Sequence, residues 1–119
     1  MMWRAFAAAA EHAIGLHPGV LTAGLGPNYE TAAEVAMLRR MGADALTMST
    51  VPEFGAARAA GLPTLVFTVI TNHATGVAPG AHLSHHEVTE NGARAAQALA
   101  MLIGAVAGEL GPATGVSSG

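Results

Sequence analysis

The sequence contains no cysteine, which excludes disulfides and thiolate metal sites but fixes no compartment. Aromatic residues are scarce, at 4% with one tryptophan and one tyrosine, so any core must be aliphatic and alanine-rich, a composition suited to helices packed closely on a sheet. Charge is also sparse, at 11% of residues with a net of −3. No basic run occurs, which excludes the usual electrostatic footprint of a nucleic-acid binder. Long apolar runs are missing too. "ALAMLIGAVAG" (98–108) falls well short of the ~20 residues a bilayer span requires. The opening "MMWRAFAAAAEHAIG" is interrupted by Glu11 and His12, and reads as an amphipathic helix rather than a secretory signal. A cytoplasmic protein with no membrane partner is the expectation.

What is present is a 119-residue chain, 51% hydrophobic, enough for one small domain that buries roughly 65% of its unfolded surface. A helix is expected over residues 2–13, stopped by Gly15, and then a strand in "GVLTAGL" (19–25). In "GPNYETAAE", Thr31 and Glu34 have the spacing at which each side chain satisfies the other's orphan backbone N–H. The helix they open runs to about residue 41, with Val35 and Leu38 inward, Arg39 and Arg40 in the last turn and Gly42 as the stop.

"ADALTMS" (43–49) reads as a second strand, and "TVPE" (50–53) repeats the capping spacing with Pro52 in the first turn of a helix that ends at Gly61. "PTLVFTVIT" (63–71) reads most plainly as a strand, a β-branched and aromatic run of the kind buried on both faces. A Gly/Pro-containing loop follows. "SHHE" (84–87) is a third capping box, opening an alanine-rich helix to about residue 110, and 111–119 reads as a frayed tail. No repeat or linker divides the chain.

Alternating helices and strands favour an α/β fold with a mostly parallel sheet. Ligands of such sheets bind beyond the carboxyl ends of the strands. Those ends carry Tyr29 and Glu30, then Met48 and Ser49, then Asn72, with His85 just inside the last cap. Each has a plain structural alternative. Glu30 suits a helix N-terminus, Tyr29 and Met48 can be packing residues, Ser49 can help cap the next helix, and Asn72 can simply form a turn. Histidines 82, 85 and 86 cluster, but without the fixed acidic or sulfur partners a zinc site uses; no metal is expected.

"GPNYET", "GADAL.MSTVPE", "ITN" and "LSHHEV" together resemble the C-terminal half of the trimeric purine nucleoside phosphorylases, over residues 19–109. The resemblance implies the C-terminal portion of that family's mixed, mostly parallel sheet flanked by helices, in one incomplete α/β domain. It implies phosphorolysis, in which inorganic phosphate as co-substrate, with no cofactor, attacks C1′ of a purine nucleoside and releases base and ribose 1-phosphate. By the same resemblance Glu30 binds the purine N1–H, Asn72 binds N7 and O6 and assists catalysis there, and Tyr29 packs beside base and sugar. Met48 and His85 contact the ribose, and Ser49 donates to phosphate. A carboxylate at N1 and an amide at O6 complement hypoxanthine and guanine, whereas adenine presents a lone pair at N1. Relatives that cleave 5′-methylthioadenosine carry an aspartate in place of Asn72 and no carboxylate at Glu30, so the chain sides with the 6-oxopurine branch.

Family members are more than twice this length. Their first half supplies a glycine/serine phosphate loop, an arginine and a histidine near the phosphate, and a segment beside the base, none of them recognisable here. "AGLG" (23–26) resembles a phosphate loop only superficially and lacks a following lysine. His73 and His86 depart from the family pattern and receive no role. The expectation is a chain inactive alone, completed by a complementary N-terminal half or by homo-oligomerisation, trimeric by family. A non-catalytic purine-binding or assembly module and a decayed fragment are the competing readings.

Overall fold

The computed structural model describes residues 1–78 and 85–110, except for the side chains of His85, Glu87, Glu109 and Leu110. Its elements are α1 (Met2–Glu11), β1 (Leu21–Ala23), α2 (Ala32–Arg40), β2 (Ala45–Thr47), α3 (Val51–Ala59) and α4 (His85–Leu110). The described residues form two compact units. One comprises Met1–Leu16 together with the chain from Ala95 on, the other His17–Arg94.

The larger unit is built on a β1–α2–β2 crossover. Its strands are parallel, with Leu21 opposite Ala45, Thr22 opposite Leu46 and Ala23 opposite Thr47. Hydrogen bonds extend the pairing past both ends, from Gly24 N to Thr47 O (2.8 Å) and from Asp44 N to Val20 O (2.9 Å). The Asp44 carboxylate accepts the Val20 N–H (2.8 Å), so a side chain completes the ladder where the backbone diverges. The strands are shorter than the seven-residue segments read from sequence, because pairing rather than apolar composition delimits them.

Helix α2 starts as its sequence dictates. Thr31 accepts the Glu34 N–H and Glu34 accepts the Thr31 N–H, at 3.3 Å and 2.7 Å. Its end is equally local. Gly42, at φ +94°, donates to Arg39 O, while Ala43 donates to Leu38 O, the paired 5→2 and 6→1 bonds of a glycine-terminated helix. Helix α3 ends in the same way at Gly61 (φ +72°), with bonds to Arg58 O and Ala57 O.

Three sequence expectations are corrected. The capping box at Thr50 does not form. Thr50 sits at φ +71° with no side-chain cap bond, and its hydroxyl lies 3.3 Å from Ser49 Oγ instead. Helix α1 ends at Glu11, two residues short of the expected 13, because Ala13 takes a positive φ (+53°) and the bonds Ala13 N to Ala10 O and Ile14 N to Ala9 O close the turn. Residues 63–71 are not a strand. Residues 68–72 line a cavity together with residues 43–48 and exchange no ladder bonds with them. A strand is a pairing, and composition alone cannot supply a neighbour at the ~4.8 Å spacing a ladder needs. The third capping box and the tail lie outside the described residues.

In the smaller unit Ala5, Ala8 and Ala9 are buried, as are Leu102 and Val106. Their i, i+3, i+4 and i, i+4 spacings place each set on one helix face. No side chain of the larger unit is fully buried among the described residues. Leu25, Met41, Leu62 and Ile70 are all exposed, so the larger unit has apolar faces in excess of what it covers itself.

Candidate functional site

Beyond the carboxyl end of β1 the chain turns through Gly24 and Gly26, each closely approached by the end of a side chain. A Cβ on Gly24 would collide with Glu30 Oε1, so the Glu30 carboxylate rests in the space left by the missing side chain. Gly26 stands at φ +59°, and a Cβ there would lie 3.1 Å from Met48 Sδ. The glycines thus seat one group from the start of α2 and one from the end of β2.

These groups face a cavity of about 710 Å³ contained within the larger unit. Tyr29, Glu30, Met48 and Asn72 all line it. Its lining also includes Thr22, Thr47, Thr68, Thr71 and Thr75, and the apolar residues Val35, Leu38 and Leu46. The volume suits a small organic ligand held by a few polar groups among apolar ones.

Asn72 is held at both ends of its amide. Its Oδ1 accepts the Thr71 hydroxyl at 2.7 Å and its Nδ2 donates to His73 O at 3.0 Å. A carbonyl can only accept, so the nitrogen end must face His73. Each end keeps capacity, a second lone pair on Oδ1 and a second hydrogen on Nδ2. Together with a carboxylate, this gives one wall that accepts strongly and another that both donates and accepts.

Ser49 is not in the cavity wall. Its hydroxyl is exposed and shared with Thr47 Oγ1 (3.2 Å) and Thr50 Oγ1 (3.3 Å), and its N–H donates to Thr47 Oγ1. The His85 side chain lies outside the described residues. His86 is exposed and 3.5 Å from Glu90. Among the described residues no group of three or more His, Asp or Glu side chains could hold a metal ion, and no helix is long and apolar enough to cross a membrane.

Sequence reasoning missed Gly24, Gly26 and Thr71 as neighbours of these residues. Two glycines flanking a strand end were a usable signal for the first pair, and Thr71 was adjacent to a residue already singled out.

A parallel β1–α2–β2 crossover flanked by helices, with a cavity running along β2 and residues 68–72, defines an α/β protein. The chain belongs to the Phosphorylase superfamily, whose family model matches residues 2–107. It is 47% identical over 88 residues to the purine nucleoside phosphorylase of Mycobacterium leprae, covering 74% of this chain and 32% of the relative. It is 41% identical over 107 residues to that of Saccharomyces cerevisiae, covering 80% and 34%. Among solved structures, a schistosoma purine nucleoside phosphorylase in complex with hypoxanthine superposes with a TM-score of 0.87 at 32% identity, over 93% of this chain and 41% of the other. A Schistosoma mansoni purine nucleoside phosphorylase in complex with adenosine superposes at 0.79 and 34%, over 86% and 38%. The chain therefore spans about a third of the length of the curated relatives it matches.

Proposed function

We propose that these residues form the purine-recognition portion of a purine nucleoside phosphorylase acting on 6-oxopurine nucleosides with inorganic phosphate. The observation that carries this reading is that Glu30 and Asn72 line one cavity with Tyr29 and Met48. Glu30 accepts the N1–H of a keto purine, and Asn72 donates to O6 and meets N7. As the glycosidic bond breaks, electrons move onto the purine. An amide at N7 then bonds more strongly to the transition state than to the substrate, which is the condition for acceleration. Tyr29 flanks base and sugar, and Met48 and His85 contact the ribose.

Phosphate needs several donors around its oxygens. The described residues offer the Ser49 hydroxyl for that task, so turnover requires the remainder of the phosphorylase fold, joined to these residues or supplied by another chain. The exposed apolar faces of the larger unit support the same conclusion. Hypoxanthine release from inosine and phosphate, assayed with and without a complementary phosphorylase half, tests the proposal. Release only when both are present supports it, and no release with any complementary half refutes it.

One observation favours a second reading, a purine-binding or assembly module without turnover. Ser49, the assigned phosphate donor, stands outside the cavity wall with its hydroxyl engaged by Thr47 and Thr50. Base binding without phosphorolysis in the completed protein distinguishes it.

A further inference from the structure

We infer that Asn91, on α4, is a positioning residue for Asn72 and acts through the carbonyl oxygen of Thr71. This deepens the reading of Asn72 as a purine-binding group and rests on it. Asn91 Nδ2 donates to Thr71 O at 2.6 Å across a separation of 20 residues, in a part-buried setting. The acceptor-only carbonyl fixes which end of the Asn91 amide faces it.

The Thr71 carbonyl and the Asn72 N–H belong to one planar peptide unit. Anchoring the carbonyl therefore restrains the plane from which Asn72 departs, leaving only its own torsions to set the side chain. The anchor matters because residues 63–71 belong to no ladder, so no sheet hydrogen bond holds this stretch in register among the described residues. The Thr71 hydroxyl on Asn72 Oδ1 and the His73 carbonyl on Asn72 Nδ2 then set the rotation of the amide. Turning that amide over would exchange donor and acceptor at the purine edge. A mismatch of that kind leaves buried polar groups unpaired, which is how such sites discriminate.

The test uses isotope-labelled protein and hypoxanthine as the probe. Asn91→Asp keeps the shape but replaces the donor with an acceptor. It is expected to move the side-chain amide signals of Asn72 and to weaken hypoxanthine binding by about tenfold, the scale of one lost hydrogen bond. Asn91→Gln, which retains an amide donor, is expected to move the signals back toward wild type. Should Asn91→Asp fail to fold, Asn91→Leu carries the same test without placing a charge beside the carbonyl. Unmoved Asn72 signals in a folded donor-less variant overturn the inference. Moved signals with unchanged hypoxanthine affinity support the positioning role and overturn the purine-binding reading of Asn72.

Discussion

The Glu30 carboxylate occupies the space in which a side chain on Gly24 would stand. A methyl group at Gly24 meets the far end of a flexible side chain, so the fold can yield at small cost while the carboxylate cannot stay in place. Gly24→Ala is expected to change thermal stability by less than about 1 kcal/mol, the range of ordinary backbone effects. It is also expected to weaken hypoxanthine binding by about 10- to 100-fold, the scale of a charge-assisted hydrogen bond. Calorimetric titration beside a melting curve separates the two. Equal affinity in the variant would remove Gly24 from the site.

Ala13 closes α1 in the left-handed region, at φ +53°, where α2 and α3 use glycine. The strain for an L-residue there is roughly 1–2 kcal/mol, partly offset by glycine's greater freedom when unfolded. Ala13→Gly is expected to raise stability by about 0.5–1 kcal/mol, and Ala13→Val to lower it. Urea midpoints check both.

Glu34 titrates below the ordinary glutamate range because it accepts the Thr31 backbone N–H, and secondarily the Thr31 hydroxyl. A carboxylate with a depressed folded-state pKa stabilises the fold fully above its unfolded value and loses that contribution as pH falls through the folded one. The start of α2 should therefore loosen only in acid. Glu34→Gln should show a smaller acid dependence, read from the Thr31 amide signal against pH. An unchanged acid dependence would mean that another group governs it.

The Thr31–Glu34 box was legible because its partners are neighbours in sequence and their geometry follows from helix onset alone. The same spacing at Thr50 and Glu53 misled, since Thr50 turns to φ +71° and its hydroxyl pairs with that of Ser49. The apolar run at 63–71 misled for a different reason, because whether a run pairs depends on what lies beside it. That Tyr29, Glu30, Met48 and Asn72 line one cavity agrees with their ordered motifs, although the strand that was to carry Asn72 does not form. Gly24 and Asn91 were not legible, because their roles exist only after Glu30 and Thr71 have been brought to them.

Thr50 carries the remaining local strain, a β-branched residue in a region such residues rarely enter. Thr50→Gly is expected to stabilise the larger unit by about 1 kcal/mol while freeing Ser49 Oγ from one of its two hydroxyl partners. Denaturant midpoints check the first effect, and a destabilised variant would show that the Thr50 hydroxyl outweighs its strain.

The proposed function requires Glu30 and Asn72 to act together on one keto purine. The most direct measurement is hypoxanthine affinity in the completed phosphorylase carrying Glu30→Gln, with the melting temperature followed in parallel. Affinity is expected to fall by about 10- to 100-fold while the melting temperature holds. Undiminished affinity, or a loss that merely tracks a loss of folded protein, would contradict it.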